Sequence, residues 1–298
     1  MFRQVSANFA RMPPWLQGAT WMMLSAVLFA SQAGIVRYMS KDFHFIEISF
    51  FRAAFGIVVM IPWLMRRGVG VLRTPHTGRY VLRGFLSTAA MYGWFGGITL
   101  IALADATAIS FTFPLFIALF SIIFLKEKAR LARWIAMAAG FAGTLIVIRP
   151  GFAEVNHGVF MVIGAGLCIG GSAMILKVML RTDAPDKAAL YQSIYMLPFA
   201  AVGALFVWEW PNAEQWVWAF AIGAVSTWAQ RLYSRAFAVG DIGAITPFDF
   251  MRLPFATLIG LFAFAQTPDV WTIVGGAAIF VASVYAGRAE SRREKAER

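Results

Sequence analysis

Residues 102–110 read ALADATAIS, and residues 238–246 read AVGDIGAIT. At an offset of 136 residues, Ala102, Asp105, Ala108 and Ile109 fall on Ala238, Asp241, Ala244 and Ile245, and Ser110 falls on Thr246. Each copy opens an apolar segment long enough to cross a bilayer. A second echo lies upstream at an offset of 140, where IVRYMSK (35–41) meets ILKVMLR (175–181). Arg37 pairs there with Lys177 and Lys41 with Arg181. The chain therefore reads as two copies of one unit, residues 1–149 and 150–298.

Composition names the solvent of that unit. Of the 298 residues 60% are hydrophobic and only 14% charged, whereas a soluble domain carries about 25% charge. So much apolar surface cannot be hidden in one soluble core, and the surrounding medium must be lipid. A spanning helix needs about 20 mainly apolar residues. Ten such spans are expected, at roughly 15–36, 46–65, 81–103, 106–125, 134–149, 158–178, 188–208, 215–236, 243–265 and 271–287. The expected fold is thus an all-α membrane protein of ten transmembrane helices. The first apolar run is read as a retained helix, because it is too long for a signal peptide and belongs to the repeat. Breakers mark the connections, among them Arg66-Arg67-Gly68, Arg149-Pro150-Gly151 and Thr267-Pro268-Asp269.

The net charge of +11 raises the question of nucleic acid, and the placement of the charges answers it. With the N-terminus inside, all but five of the 26 Lys and Arg lie in inside segments or the adjoining helix ends. Arg37, Lys41 and Arg149 lie outside, and Arg52 and Arg252 lie within spans. This bias sets orientation in membranes. It predicts both termini in the cytoplasm and removes nucleic acid as a partner. Five helices per copy is an odd number, so the second copy enters from the opposite face. The expected 5+5 inverted repeat is a physical basis for alternating access around a midplane site.

Several segments carry a family resemblance. They are FFRAAFG (50–56) early in the second span, ALADATAISFTFPLF (102–116), and the exit FLKEKARLARW (124–134), set within the duplicated unit. On these the chain resembles the bacterial drug/metabolite transporter superfamily, and within it the ten-helix EamA-type permeases. The likeness covers nearly the whole chain. FAFAQTPD (262–269) departs from it, lacking the charged exit of the first copy, which suits an outside loop. The resemblance implies transport of a small metabolite and leaves its identity open.

The polar residues inside the spans are the candidate site. Arg52 lies about 10 Å into the second span at ~1.5 Å per residue. Intramembrane charge faces a cavity or a partner; the structural alternative is a bond to carbonyls or a pair with Glu47. Asp249 and Arg252, three apart, share a helix face. Their equivalents at offset 136 are Phe113 and Phe116, so the fold works without an ion pair in the other copy. Either the pair serves packing, or Arg252 meets an anionic group and Asp249 an amine or a coupling proton. Nine of the eleven tryptophans sit at or near span ends, as an interfacial belt. Trp94 and Trp228 remain at mid-span, and Tyr92 is the repeat equivalent of Trp228. They are read either as packing aromatics or as rings lining a cavity. Gln32, Gln192 and Gln230 are costly in lipid and are expected to face the same interior. Pro114, Pro198, Pro247 and Pro254 suggest kinks.

His44, His76 and His157 fall in loops and Cys168 stands alone, so no metal site, disulfide framework or cofactor is expected. No phosphate loop of the P-loop type points to ATP-driven transport, and the chain is not read as an enzyme. The leading expectation is a secondary transporter of the bacterial inner membrane that exports an amino acid or a related organic anion or zwitterion. The alternative is uptake of a vitamin- or nucleotide-like cofactor; a non-transporting scaffold or sensor ranks below both. Protons are the candidate coupling ion, and monomer and homodimer are both open.

Overall fold

The computed structural model describes residues 14–110, 112–125, 156–239, 246–267 and 269–278, with isolated positions at 138–139, 142–143, 145–146, 280–281 and 285. Regular structure among the described residues is helical throughout. In chain order the helices are α1 (Pro14–Met39), α2 (Phe45–Arg67), α3 (Thr77–Leu100), α4 (Leu103–Ser110), α5 (Phe113–Leu125), α6 (His157–Met179), α7 (Pro185–Ala204), α8 (Ala213–Val239) and α9 (Arg252–Phe264). A further helical stretch covers 270–278. Most of the span expected at 134–149, the exit over 126–134, residues 240–245 of the second repeat copy and most of 279–287 lie outside the described residues.

Among the described residues three helices combine the length and the composition to cross a membrane: Leu16–Met39, Phe45–Arg67 and His157–Met179. Helices α3, α7 and α8, of 24, 20 and 27 residues, are long enough, since ~20 residues at ~1.5 Å reach across the hydrocarbon layer. Their charges, such as Arg83, Lys187 and Arg231, lower their hydropathy, and those three side chains are nonetheless buried.

Two spans expected as continuous helices are broken. The one at 106–125 divides into α4 and α5, with Thr112 in a turn. Pro114 has no N–H to give the carbonyl of Ser110, so the first helix stops and a second restarts with the proline in its first turn. The one at 243–265 opens instead as a 3-10 turn over Thr246–Met251 before α9 begins. Pro254 likewise cannot serve the carbonyl of Phe250, and α-geometry is established only from Arg252 onward.

Packing differs between the two ends of the bundle. Where α1 and α3 finish and α2, α6 and α8 begin, the largest apolar cluster forms from Val36, Met39, Ile48, Phe51, Phe95, Ile98 and Val162, among others. Polar ties close the same end. Arg37 donates to the carbonyls of Ile98 and Ile101 at 2.6 and 2.5 Å. Asn156 caps α6 through Gly158 N and donates to Leu100 O. Gln266 accepts from Leu103 N at 3.1 Å, and the Thr272 hydroxyl bonds Asp105. At the opposite end Asp183 accepts from Tyr80 at 2.7 Å and from Lys187 at 2.8 Å. Asp186 there joins α7 to Arg231 and Arg235 of α8.

Close helix approach needs small residues in lipid, where packing replaces the hydrophobic effect. At Gly84 a Cβ would lie 2.5 Å from Tyr195 O, and at Gly97 one would lie 2.4 Å from Val162 Cγ2. These two glycines let α3 lie directly against α7 and α6. Large apolar side chains such as Met65, Phe206 and Phe262 point away from the bundle and are 78%, 84% and 82% exposed, as lipid-facing residues would be.

Candidate functional site

Between these two ends lies a central cavity of about 1020 Å³, counting the solvent space at its mouth. Its walls come from α1, α2, α3, the α4–α5 break, α6, α7, α8 and the start of α9. The polar wall is built on α3, where Arg83, Ser87 and Trp94 fall on one stripe at intervals of four and seven residues, the spacing that aligns side chains on a helix face.

Arg83 is 2% exposed and donates to Ala188 O at 2.8 Å and to Gln192 Oε1 at 2.9 Å, both on α7. Gln192 reaches back to Ser87 Oγ at 3.4 Å, and Ser87 bonds Ser172 of α6 at 2.9 Å. A polar network thus links α7, α3 and α6 along one side of the cavity. Arg52, 5% exposed, has Met196 Sδ at 3.1 Å as its contact, and a thioether is a weak acceptor. Among the described residues no carboxylate pairs with Arg52 or Arg83.

Across the cavity Arg252 bonds Asp249 at 2.6 Å. Its guanidinium lies 4.6 Å above the Phe29 ring, a cation–π arrangement. Trp94 and Phe113 meet edge to face at 5.9 Å. With three arginines against one aspartate among the described residues of its walls, the cavity favours a ligand rich in hydrogen-bond acceptors or carrying negative charge, and its rings suit a flat body. Among the described residues no group of three or more His, Cys, Asp or Glu comes together.

The cavity gathers seven of the nine residues expected at the site: Gln32, Arg52, Trp94, Gln192, Gln230, Asp249 and Arg252. Tyr92 and Trp228 are corrections. The Tyr92 hydroxyl reaches Phe199 O at 3.4 Å and its ring packs on Phe45, away from the cavity. Trp228 is 46% exposed and lies 4.6 Å under the Arg231 guanidinium. Residues two apart on a helix point about 200° from one another. With Trp94 and Gln230 inside, Tyr92 and Trp228 must face out. The pairing of Arg52 with Glu47 is also corrected. Glu47 accepts from Glu209 N at 3.3 Å, and five helical residues place it on a different face from Arg52.

Five polar lining residues lie outside the expected set: Arg83, Ser87, Ser110, Ser172 and Tyr233. Charge counting groups Arg83 with the inside charges between the second and third spans. The i, i+4, i+11 stripe from Arg83 through Ser87 to Trp94 is the signal that would have found it.

Comparison with known proteins bears on the whole assembly. The sequence model of the EamA-like transporter family matches twice, over residues 16–149 and 156–287. A riboflavin transporter of Vibrio cholerae is 30% identical over 95% of this chain and 97% of its own length. An S-adenosylmethionine uptake transporter of Rickettsia prowazekii is 25% identical over 91% of this chain and 92% of its own. A solved crystal structure superposes with a TM-score of 0.63 at 20% identity, covering 93% of this chain and 98% of that one, which speaks to the fold alone. The double match over nearly the full length, joined to a helical bundle with a polar cavity at its centre, makes this chain a multi-pass membrane protein of the EamA-like transporter family.

Proposed function

We propose that the chain is an inner-membrane uptake carrier for a flat, acceptor-rich cofactor precursor of the riboflavin kind. The central cavity carries this reading: two buried arginines with no carboxylate partner among the described residues line it together with the Trp94 and Phe113 rings. An isoalloxazine ring offers two carbonyl oxygens and ring nitrogens to the guanidinium donors of Arg52 and Arg83 and to the amides of Gln32, Gln192 and Gln230. Its faces suit Trp94, Phe113 and Phe29. The names of the relatives, for riboflavin and for S-adenosylmethionine, support cofactor uptake over the amino-acid export expected from the sequence. Of the two cofactors, riboflavin suits the charge better. S-adenosylmethionine carries a sulfonium cation, which the two excess positive charges of the wall would repel.

Alternating access between two inverted five-helix halves is the mechanism this reading uses. It is supported by the two family matches, one per half, and by the helix breaks near Thr112 and within Thr246–Met251. These breaks fall close to equivalent places at the repeat offset and border the cavity, as discontinuous helices do in carriers built from inverted repeats. The termini lie in the cytoplasm and His157 outside. A single cysteine at position 157 in a Cys168→Ser background is expected to react with an impermeant maleimide in intact cells. Labelling only after permeabilisation would reverse the orientation.

The function is tested in a riboflavin-requiring bacterium that lacks its own importer. Expression of the chain is expected to restore growth on low riboflavin and to give saturable uptake of labelled riboflavin. Unlabelled flavin should compete, and amino acids should not. Uptake no greater than in the empty strain overturns the flavin reading.

A further inference from the structure

The two copies of the repeat share one contact and differ in another. Lys187, the third residue of α7, donates to Arg73 O at 2.9 Å, in the connection that follows α2. Glu47, the third residue of α2, accepts from Glu209 N at 3.3 Å, in the connection that follows α7. Glu47 and Lys187 are equivalent at offset 140, and Arg73 and Glu209 at offset 136. The same tie is therefore made once at each end of the bundle, as a two-fold relation between the halves requires.

Arg37 breaks that symmetry. The last four carbonyls of a helix have no partner within it. At the end of α3, Gly97 O accepts from Ile101 N and Leu100 O from Asn156. Ile98 O and the adjoining Ile101 O both accept from Arg37 of α1. A cation suits the carbonyl end of a helix, where the dipole is negative. Val36 and Ile98 lie buried in the apolar cluster of that end. The equivalent residues at the opposite end are arranged otherwise. Leu176, the equivalent of Val36, lines the central cavity, and so does Tyr233, next to the Ile98 equivalent Ser234. The ends of α1 and α3 thus seal the cavity, while those of α6 and α8 border it.

We propose that Arg37 is the latch of the sealed end, and that Lys177, its equivalent at offset 140, is the latch of the other. When the cavity changes sides, Arg37 releases the end of α3 and Lys177 takes the end of α8. The acceptor there is Phe237 O, the equivalent of Ile101 O and one of the last four carbonyls of α8. The ties of Glu47 and Lys187 stay made in both states, so α2 and α7 form the fixed frame. An arginine serving two carbonyls outweighs a lysine serving one, which makes the state described here the resting one. This switch rests on the alternating access of the proposed carrier and names the residues that set its two positions. Neither residue lines the cavity, so both are positioning residues.

The test reads from which end the cavity is open, with no cargo present. The full chain carrying Cys168→Ser and Ser110→Cys, a position on the cavity wall, is labelled with an impermeant maleimide in sealed vesicles of either orientation. The side from which a cysteine at position 157 reacts marks the Arg37 end, because Asn156 bonds the end of α3. Labelling at Ser110→Cys is expected chiefly from the opposite side. Arg37→Gln should raise the ratio of labelling from the Arg37 end to labelling from the other at least about tenfold, the loss of two charge-assisted bonds. Lys177→Gln should lower that ratio roughly threefold or more, and the double variant should return toward the starting value. A mere helix cap would change the unfolding midpoint and leave the ratio where it was. If Arg37→Gln does not insert, Arg37→Lys should move the ratio the same way by less. The proposal is overturned if the ratio stays within twofold in the Arg37 variant that inserts, or if Lys177→Gln fails to lower it. Labelling from one side only in every variant overturns alternating access as well. Riboflavin does not enter the measurement, so a failure of riboflavin uptake leaves the latch standing.

Discussion

Arg83→Gln is expected to lower uptake per inserted molecule by at least tenfold. Arg83 makes two charge-assisted bonds to α7, at 2.8 Å to Ala188 O and 2.9 Å to Gln192 Oε1, each worth about 1.5–3 kcal/mol. Gln192 is thereby held in the wall of the cavity, and through it Ser87 and Ser172. Glutamine is too short to reach both acceptors and carries no charge. The variant therefore loosens α3 from α7 and removes a positive charge from the cavity together. Arg83→Lys separates the two effects. A lysine keeps the charge but lacks the planar fork that serves two acceptors at once, so it should recover part of the loss and no more. Initial rates in vesicles, normalised to the amount of transporter in the membrane, decide it. Uptake by Arg83→Gln within twofold of wild type would reduce Arg83 to a packing residue.

That the residue with the largest expected effect escaped the sequence reading has a physical cause. Arg83 is the seventh residue of α3 and follows Arg79 and Arg73. A charge so close to a loop normally belongs to the inside-positive bias, where counting assigns it. Burial is settled by which helix packs over it, here α7 by way of Gly84, and no local pattern carries that information. Arg52 and Arg252 were legible because they stand deep in otherwise apolar runs, where no interface is near enough to explain them. The glutamines were legible for the same reason. Tyr92 and Trp228 show the opposite error. Their positions away from the helix ends drew attention, but facing was ignored, although the 100° step of the helix already set Tyr92 against Trp94 and Trp228 against Gln230. The breaks in the fourth and ninth spans were half legible. Pro114 and Pro254 announced kinks, but whether a kink becomes an interruption depends on what satisfies the freed carbonyls, which only the surrounding helices decide.

The Asp249–Arg252 pair gives the second large effect, and a double substitution reveals what kind of effect it is. The two side chains bond at 2.6 Å while 23% and 15% exposed, at the edge of the cavity. Removing one member of a partly buried pair leaves the other charge uncompensated, at a cost below the ~3–5 kcal/mol of a fully buried one. Asp249→Asn and Arg252→Gln should therefore each lower uptake severely, by roughly tenfold or more. If the pair serves packing alone, Asp249→Asn/Arg252→Gln removes both charges and should restore most of the rate. The expected result is different. Asp249 is the one carboxylate among the described residues of the cavity wall, and so the group there best suited to accept a coupling proton. Arg252 bonds it from one side, and Tyr233 lines the same space. Both Asp249→Asn and the double variant should then lose accumulation driven by a pH gradient, while exchange of labelled for unlabelled substrate persists in the double variant. Proteoliposomes with an imposed pH step, assayed for net uptake and for exchange, separate these cases. Gradient-driven accumulation at the wild-type rate in the double variant would leave the pair a structural tie and require the driving force to enter elsewhere.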